Sequence, residues 1–494
     1  MIVFDELTID AYHRALRDRT TTATALVQWY LDRIEAHDRS GAALNSVVTV
    51  NPEALARAAE LDAELARTDE LSGPLHGVPV LVKDQAETAG LRTTFGSKLF
   101  ADYVPEQDAT LVTRLKEAGA IVLGKTTMCD FAAGWFSSSS MTGHTKNAYD
   151  SERDSGGSSA GSGTATSANL CLVAIGEDTG GSIRIPTSFN NVVGMRVTTG
   201  LVPRTGFSPL VKFQDTAGPV ARTVTDAARL LDVLVGYDPA DEYTVAATLA
   251  PDAGRYHESL ASAPELASFR LGVLESAFGS DDDPESRPVN VVLRGALERA
   301  ADAGATVRRG LAIDDLPGWV ARTSAYSRVA RADITRFLES RPTAPASSFA
   351  AVYESGVFHP ENDLFHDIAT GPEHADDDPA ALAARVAQDA FRRAVLRLFA
   401  EDDLDVLVYP TVQVVPPTTA QLADGTYTAL RFPTNTVIAS QTSLPAITVP
   451  AGFTAEGLPV GLEVLGRPFS EARLLQVALR LEELFAARRA PALA

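Results

Sequence analysis

Two Gly-Gly-Ser turns constrain this chain more than any other feature. They are Gly156-Gly157-Ser158 and Gly180-Gly181-Ser182, within DSGGSSAGSGTATSANLCLVAIGEDTGGSIRIP from Asp154 to Pro186. Between them, Ser167 to Ile175 is small and apolar enough to be buried. Glycine pairs allow backbone conformations that other residues avoid and let the chain approach a ligand closely. Two serines on such turns, one at each end of a buried segment, can converge on one site. Gly/Ser-rich text more often marks a flexible linker, but the apolar segment between the turns argues against that here.

A serine needs a base to act as a nucleophile. No histidine lies in either turn. A neutral lysine is the accepted substitute, because burial disfavours its charged form. The chain has six lysines against 37 arginines, all six between Lys83 and Lys212. Arginine does not give up its proton, so a retained lysine is a candidate for chemistry. Lys83 ends the apolar run Val80 to Val82, which reads as a strand buried on both faces. Ligands gather outside the carboxyl ends of such strands. A serine after Gly-Gly also places preceding amides where they point at one spot, as an oxyanion hole requires.

Elsewhere helical and strand patterns alternate. Helices are expected over 10–37, 52–67, 109–118, 226–236, 289–303, 381–399 and 471–488. Strands are expected over 45–50, 80–82, 120–123, 192–197, 271–274, 305–308, 404–408, 445–450 and 460–465. This alternation predicts an α/β fold: one large domain with a central mixed β-sheet covered by helices on both faces. No repeat and no dividing linker is visible.

Two motif matches are decoys. Gly119 to Thr126 fits GxxxxGK[ST], but its variable residues Ala-Ile-Val-Leu form a strand rather than a polar curl around phosphate. Gly157 to Gly161 fits GxSxG around Ser159, yet no strand precedes it, as that elbow requires. The net charge of −21 argues against non-specific nucleic-acid binding. No apolar run reaches the length of a membrane span and no signal peptide is visible. Cys129 and Cys171 are the only cysteines and read as small core residues, which fits a reducing cytoplasm. His359, His366 and His374 lie near the acidic loops 281–283 and 376–378 without tight ligand spacing, so no metal site is expected.

The segment resembles the amidase signature family. The resemblance rests on Gly-Gly-Ser158-Ser159, on Asp178-Thr179-Gly180-Gly181-Ser182-Ile183-Arg184-Ile185-Pro186 and on Lys83-Asp84. It extends to Gly124 to Thr126, Asp130 to Ala132, Asp215 to Arg222, Pro410-Thr411, Leu444 to Gly452 and Gly457 to Gly461. It covers roughly 8–240 and 400–490, with the signature core at about 70–240 and 400–490 of a single domain. The variable, substrate-side region is about 250–400, which carries no family mark.

The resemblance implies that Ser182 is the nucleophile, that Ser158, after a cis peptide bond, relays the proton, and that Lys83 is the base. It also implies that the amides of Thr179, Gly180, Gly181 and Ser182 form the oxyanion hole, with no metal or cofactor. Asp178 and Arg184 are expected to pair and hold the turn. Phe131, Trp135, Phe136, Phe207 and Phe213 are candidates for the substrate wall, although aromatics are core residues by default. Two segments depart from the family: Trp135 to Gly143, and Ser440 to Ser443, where many members carry asparagine. Both would border the substrate, so the acyl group is not legible.

The expected activity is hydrolysis of a small carboxylic amide, whether an aryl amide, a peptide amide or a carbamate. The expected partners are that substrate and at most a second copy in a homodimer, without nucleic acid or membrane. The alternative is the glutaminase-type subunit of a tRNA-dependent amidotransferase. A non-catalytic scaffold is opposed by the intact Lys83, Ser158 and Ser182.

Overall fold

In the computed structural model, which describes residues 2–493, eleven strands form one sheet. In chain order they are β1 (Val47–Val50), β2 (Pro79–Lys83), β3 (Ile121–Thr126), β4 (Val173–Asp178), β5 (Val193–Arg196), β6 (Thr216–Ala221), β7 (Arg270–Leu274), β8 (Thr306–Leu311), β9 (Val406–Pro410), β10 (Ala446–Phe453) and β11 (Pro459–Leu465). Their spatial order is β1-β3-β2-β4-β6-β5-β10-β11-β9-β7-β8. Pairing is parallel for β3·β2, β2·β4, β9·β7 and β7·β8 and antiparallel elsewhere, so the sheet is mixed.

Every residue of β2, β3, β4, β5, β6, β9 and β11 is buried. Such strands need cover on both faces, and helices supply it. The edges look outward most: β1 alternates, and β8 is exposed over most of its length. The helices at 9–17, 54–68, 224–234, 287–302 and 471–485 each turn an apolar stripe inward.

Several features depart from the expected pattern, among them β4, where the sequence marks only a buried segment up to Ile175. Thr216–Ala221 is a central strand, although its Thr-Ala-Gly-Pro text has weak strand character. Ala160–Ser167 is a helix with all eight residues buried. Its small side chains offer no apolar stripe, so periodicity misses it; they let neighbouring backbone approach, with Gly161 against Ser46 and Thr127. In the variable region the helices Leu316–Thr323, Tyr326–Glu339, Phe349–Glu354 and Leu364–Ala369 are likewise absent from the sequence expectation. They bury Tyr326, Phe337, Phe349 and Phe365 against Phe95, Phe100, Phe131, Trp135 and Phe136 in a second apolar cluster. The variable region therefore supplies the last two strands of the sheet, β7 and the edge strand β8, and a helical cover packed against Trp135 and Phe136. No helix among the described residues is long and apolar enough to cross a membrane.

Candidate active site

Strand order explains how Lys83 meets the serines. β2 and β4 lie side by side and parallel, with Val80 opposite Val173 and Val82 opposite Ile175. Their carboxyl ends therefore emerge together. Lys83 ends β2. The second serine turn follows directly from Asp178 at the end of β4. The first turn enters the helix Ala160–Ser167, whose Ser162 bonds the Ile175 carbonyl at 2.8 Å.

Lys83 Nζ donates to Ser158 Oγ at 2.8 Å. It also lies 3.3 Å from the Glu177 carbonyl oxygen and 3.2 Å from Glu177 Oε2. The Gly157–Ser158 peptide bond is cis. A side chain at Gly157 would run into the Phe136 carbonyl, so the turn seats directly on that backbone. Ser159 N donates to the Ser182 carbonyl at 3.1 Å and joins the two turns. Lys83 and Ser158 are fully buried and Ser182 is 1% exposed. Ser182 Oγ has no hydrogen-bond partner among the described residues.

The Gly180 to Ser182 turn is held from outside. Gln214 Nε2 donates to the Thr179 carbonyl at 2.6 Å, and Thr436 Oγ1 to the Gly180 carbonyl at 2.7 Å. These two bonds fix successive carbonyls of the turn. Gly181 takes φ +145°, which favours glycine, and a side chain there would strike Thr436. Trp135 and Tyr326 stand against Gly180.

Asp178 and Arg184 pair, through Nε–Oδ2 at 3.1 Å and Nη2–Oδ1 at 3.0 Å. Arg196 adds a second guanidinium at 3.1 Å, and Ile183 N donates to Oδ2 at 3.1 Å. Arg184 also reaches Glu463 and the Thr436 carbonyl. The cluster is fully buried. Burial alone would push the Asp178 carboxyl up, but Arg184 and Arg196 hold it below its ordinary value.

Lys125 is also fully buried, and burial lowers it to about 8. Its partners are Thr93 Oγ1 at 3.0 Å, the Ala86 carbonyl and, at 3.7 Å, Asp84. It braces the end of β2 instead of reaching a serine. Ser159, centre of the GxSxG decoy, bonds the Glu177 backbone through Oγ at 3.1 and 3.2 Å.

The candidate aromatics separate. Trp135 lines a cavity of about 530 Å3 with Leu316, Val320, Tyr326, Phe432 and Val437. Phe207 lines a second cavity of about 330 Å3, which Glu177 and Asp215 also face. Phe131 is buried against Phe95 and Phe100, Phe136 packs on Phe432 at 5.0 Å, and Phe213 lies under the Arg385 guanidinium at 4.2 Å. Trp135 and Tyr326 both line the first cavity and both abut Gly180, so they stand between it and the serine turn.

Glu177, Gln214, Tyr326 and Thr436 are not singled out by the sequence. Gln214 and Glu177 sit beside recognised motifs, whereas Tyr326 carries no local signal. The fold also gathers His144, His359 and Glu361, whose ligand-type atoms lie within 4.8 Å of one another. The sequence joins only His359 to an acidic loop. Here the carboxylates of Asp154, at 3.8 Å, and Glu361, at 3.3 Å, hold His144 as an imidazolium, raising it to about 10. That ion pair fastens the variable region to the approach of the first serine turn.

Residues 25–475 match the family model described as Amidase. A subunit of the glutamyl-tRNA(Gln) amidotransferase of Moorella thermoacetica is 37% identical over 93% of this chain and 92% of its own length. Among solved structures, native peptide amidase from Stenotrophomonas maltophilia superposes with a TM-score of 0.86 at 33% identity, over 99% of both chains. The corresponding amidotransferase subunit from Thermotoga maritima gives 0.78 at 26% identity, over 100% of this chain and 99% of the other. With the signature motifs and a match over most of its length, the chain belongs to the amidase family.

Proposed function

We propose that the protein is a hydrolase of small carboxylic amides that works through a seryl acyl-enzyme. The observation that carries this reading is the buried Lys83–Ser158 contact at 2.8 Å, beside a Ser182 hydroxyl with no other partner among the described residues. Lys83, as a neutral amine, takes the Ser158 proton while Ser158 takes that of Ser182. Ser182 Oγ attacks the amide carbonyl, and the oxyanion faces the amides of residues 179–182. The proton returns through Ser158 to the leaving amine. Water then cleaves the ester by the same route in reverse.

The 530 Å3 cavity supports an apolar acyl or amine group, since most of its side chains near the turn are apolar. A screen of aryl amides, peptide amides, carbamates and esters, detecting released amine, tests the reading. Absence of turnover on every class by the isolated chain would remove it. The buried free thiols of Cys129 and Cys171 suit a cytoplasmic setting.

The amidotransferase reading is favoured by the names of curated relatives at 32–37% identity and of one solved structure. Against it stand the higher structural likeness to peptide amidase and the apolar cavity. Activity that appears only with partner subunits and tRNA would select it.

Trp135 gives a specificity test. Trp135→Ala is expected to shift the ratio of kcat/KM between a bulky aryl amide and a small aliphatic amide by about tenfold or more, towards the bulky one. Equal changes for both substrates would place Trp135 outside the substrate wall.

A further inference from the structure

We infer that Glu177 is a positioning residue that takes the surplus proton of Lys83 and so presents Ser158 with a neutral amine. The inference rests on the reading of Lys83 as the base. An ammonium has three protons and no lone pair. Lys83 Nζ has three acceptors within reach: Ser158 Oγ, the Glu177 carbonyl and Glu177 Oε2. In the ammonium state all three are served, and the nitrogen cannot accept from Ser158. Two of the three belong to Glu177, so this one residue decides where the nitrogen points.

The proton step balances within the pair. One N–H bond breaks, its electrons stay on nitrogen as the lone pair, and the proton forms an O–H bond on Glu177. An ammonium and a carboxylate become an amine and a carboxylic acid, with no change in net charge. Both side chains are out of water, at 0% and 2% exposure, so the charged form has little solvation to lose by neutralising.

The second carboxyl oxygen has its own place. Glu177 Oε1 lies 3.2 Å from Thr179 Oγ1, which lies 2.6 Å from Asp215 Oδ1. The proton arrives on the carboxyl oxygen nearest Nζ; once the carboxyl turns about its Cγ–Cδ bond, that O–H stands at the Oε1 position and donates to Thr179 Oγ1, and Thr179 donates to the Asp215 carboxylate. The other oxygen, now at the Oε2 position, stays free to accept a remaining N–H of Lys83, and rotation about the Cε–Nζ bond turns the lone pair to Ser158.

Glu177 and Asp215 also face the 330 Å3 cavity, whose lining includes neither Ser158 nor Ser182 and shares no residue with that of the 530 Å3 cavity. Proton exchange with solvent thus has a route that avoids the acyl site. The charges facing Glu177 are Lys83 on β2, Asp178 on its own strand and Asp215. Cys129 lies near Lys83 as a thiol that burial keeps protonated. Across the cavity, Arg204 is engaged by Asp241, Arg341 by Glu87 and Arg336 by Asp333, which leaves the Lys212 ammonium as the free cation among its described lining residues. Burial, opposed by Lys83, raises the Glu177 carboxyl to about 7.

The test is the pH profile of kcat/KM for Glu177→Gln, with the best amide from the screen. The parent is expected to hold its plateau down to about pH 7, where the pair gains a second proton. Glutamine cannot take the proton, so Lys83 must lose it to solvent. The acid limb then moves at least one pH unit higher, activity at pH 7 falls about tenfold or more, and it recovers towards the parent in alkali. A limb that stays put or moves lower overturns the inference, because a Glu177 that merely held the ammonium by charge would free the amine when removed.

Should Glu177→Gln not fold, Glu177→Asp carries the test. The shorter acid is expected to move the limb the same way by less, and a profile superimposable on the parent's overturns the inference. Turnover persisting in Lys83→Ala would instead sink the mechanism itself. An inactive Lys83→Ala with an unshifted Glu177→Gln would sink only this role.

Discussion

Ser182→Ala is expected to lower amide hydrolysis by at least about 10^4-fold, with the fold intact. The Ser182 hydroxyl makes no hydrogen bond among the described residues, so its removal leaves no buried group unsatisfied. What is lost is the nucleophile alone. Lys83→Arg is expected to be as inactive, because a guanidinium keeps its proton and cannot accept one from Ser158. Arginine also fixes a permanent positive charge beside Glu177, so a charge at this position without a base is tested directly. Steady-state kinetics and thermal unfolding of both variants check this. Turnover above about 1% of the parent in Ser182→Ala would refute the nucleophile assignment, and a comparable rate in Lys83→Arg would refute the base.

Asp178→Ala is expected to cost about 3–5 kcal/mol of stability, enough to threaten folding. The substitution leaves Arg184 and Arg196 buried with one carboxylate fewer, and it strips the Ile183 amide of its acceptor. The carboxyl's native pKa lies below its ordinary value, the two guanidinium groups outweighing burial. A depressed native pKa gives stability that is full above the unfolded value and lost as pH falls through the native one. The gap between parent and variant is therefore expected to be full at pH 7 and to close in strong acid. Denaturant titration at both pH values measures it. An unchanged midpoint at pH 7 would show that the arginines find other partners.

Much of the candidate site is legible because its signals are local. A strand ending in lysine, two glycine turns before serines and the Asp178–Arg184 spacing are each written within a few residues. The Asp178–Arg184 pair is legible since both ends sit on one turn. Arg196, which completes that cluster from β5, is not, because its approach depends on the sheet. The helix Ala160–Ser167 escapes since close packing of small residues leaves no periodic stripe. His144 and Glu361 escape because their meeting depends on where the variable region docks.

The sequence by itself determined the family, the alternation of strands and helices, and the set from which the proposed reacting groups are drawn. It offered Lys83 as the base without showing that this lysine reaches the serines. Lys83 and Lys125 both stand in buried strands, at 0% exposure, in similar text. The tertiary structure sets them apart by position. Parallel pairing of β2 with β4 sets the end of β2 beside the serine turns, while β3 lies one strand further away and spends Lys125 on Asp84 and Thr93. Strand order is fixed by how the helices and sheet bury one another over the whole chain. Propensities and turn signals act over a few residues and carry no record of it. The same long-range packing brought Glu177 to the lysine and Tyr326 to the turn.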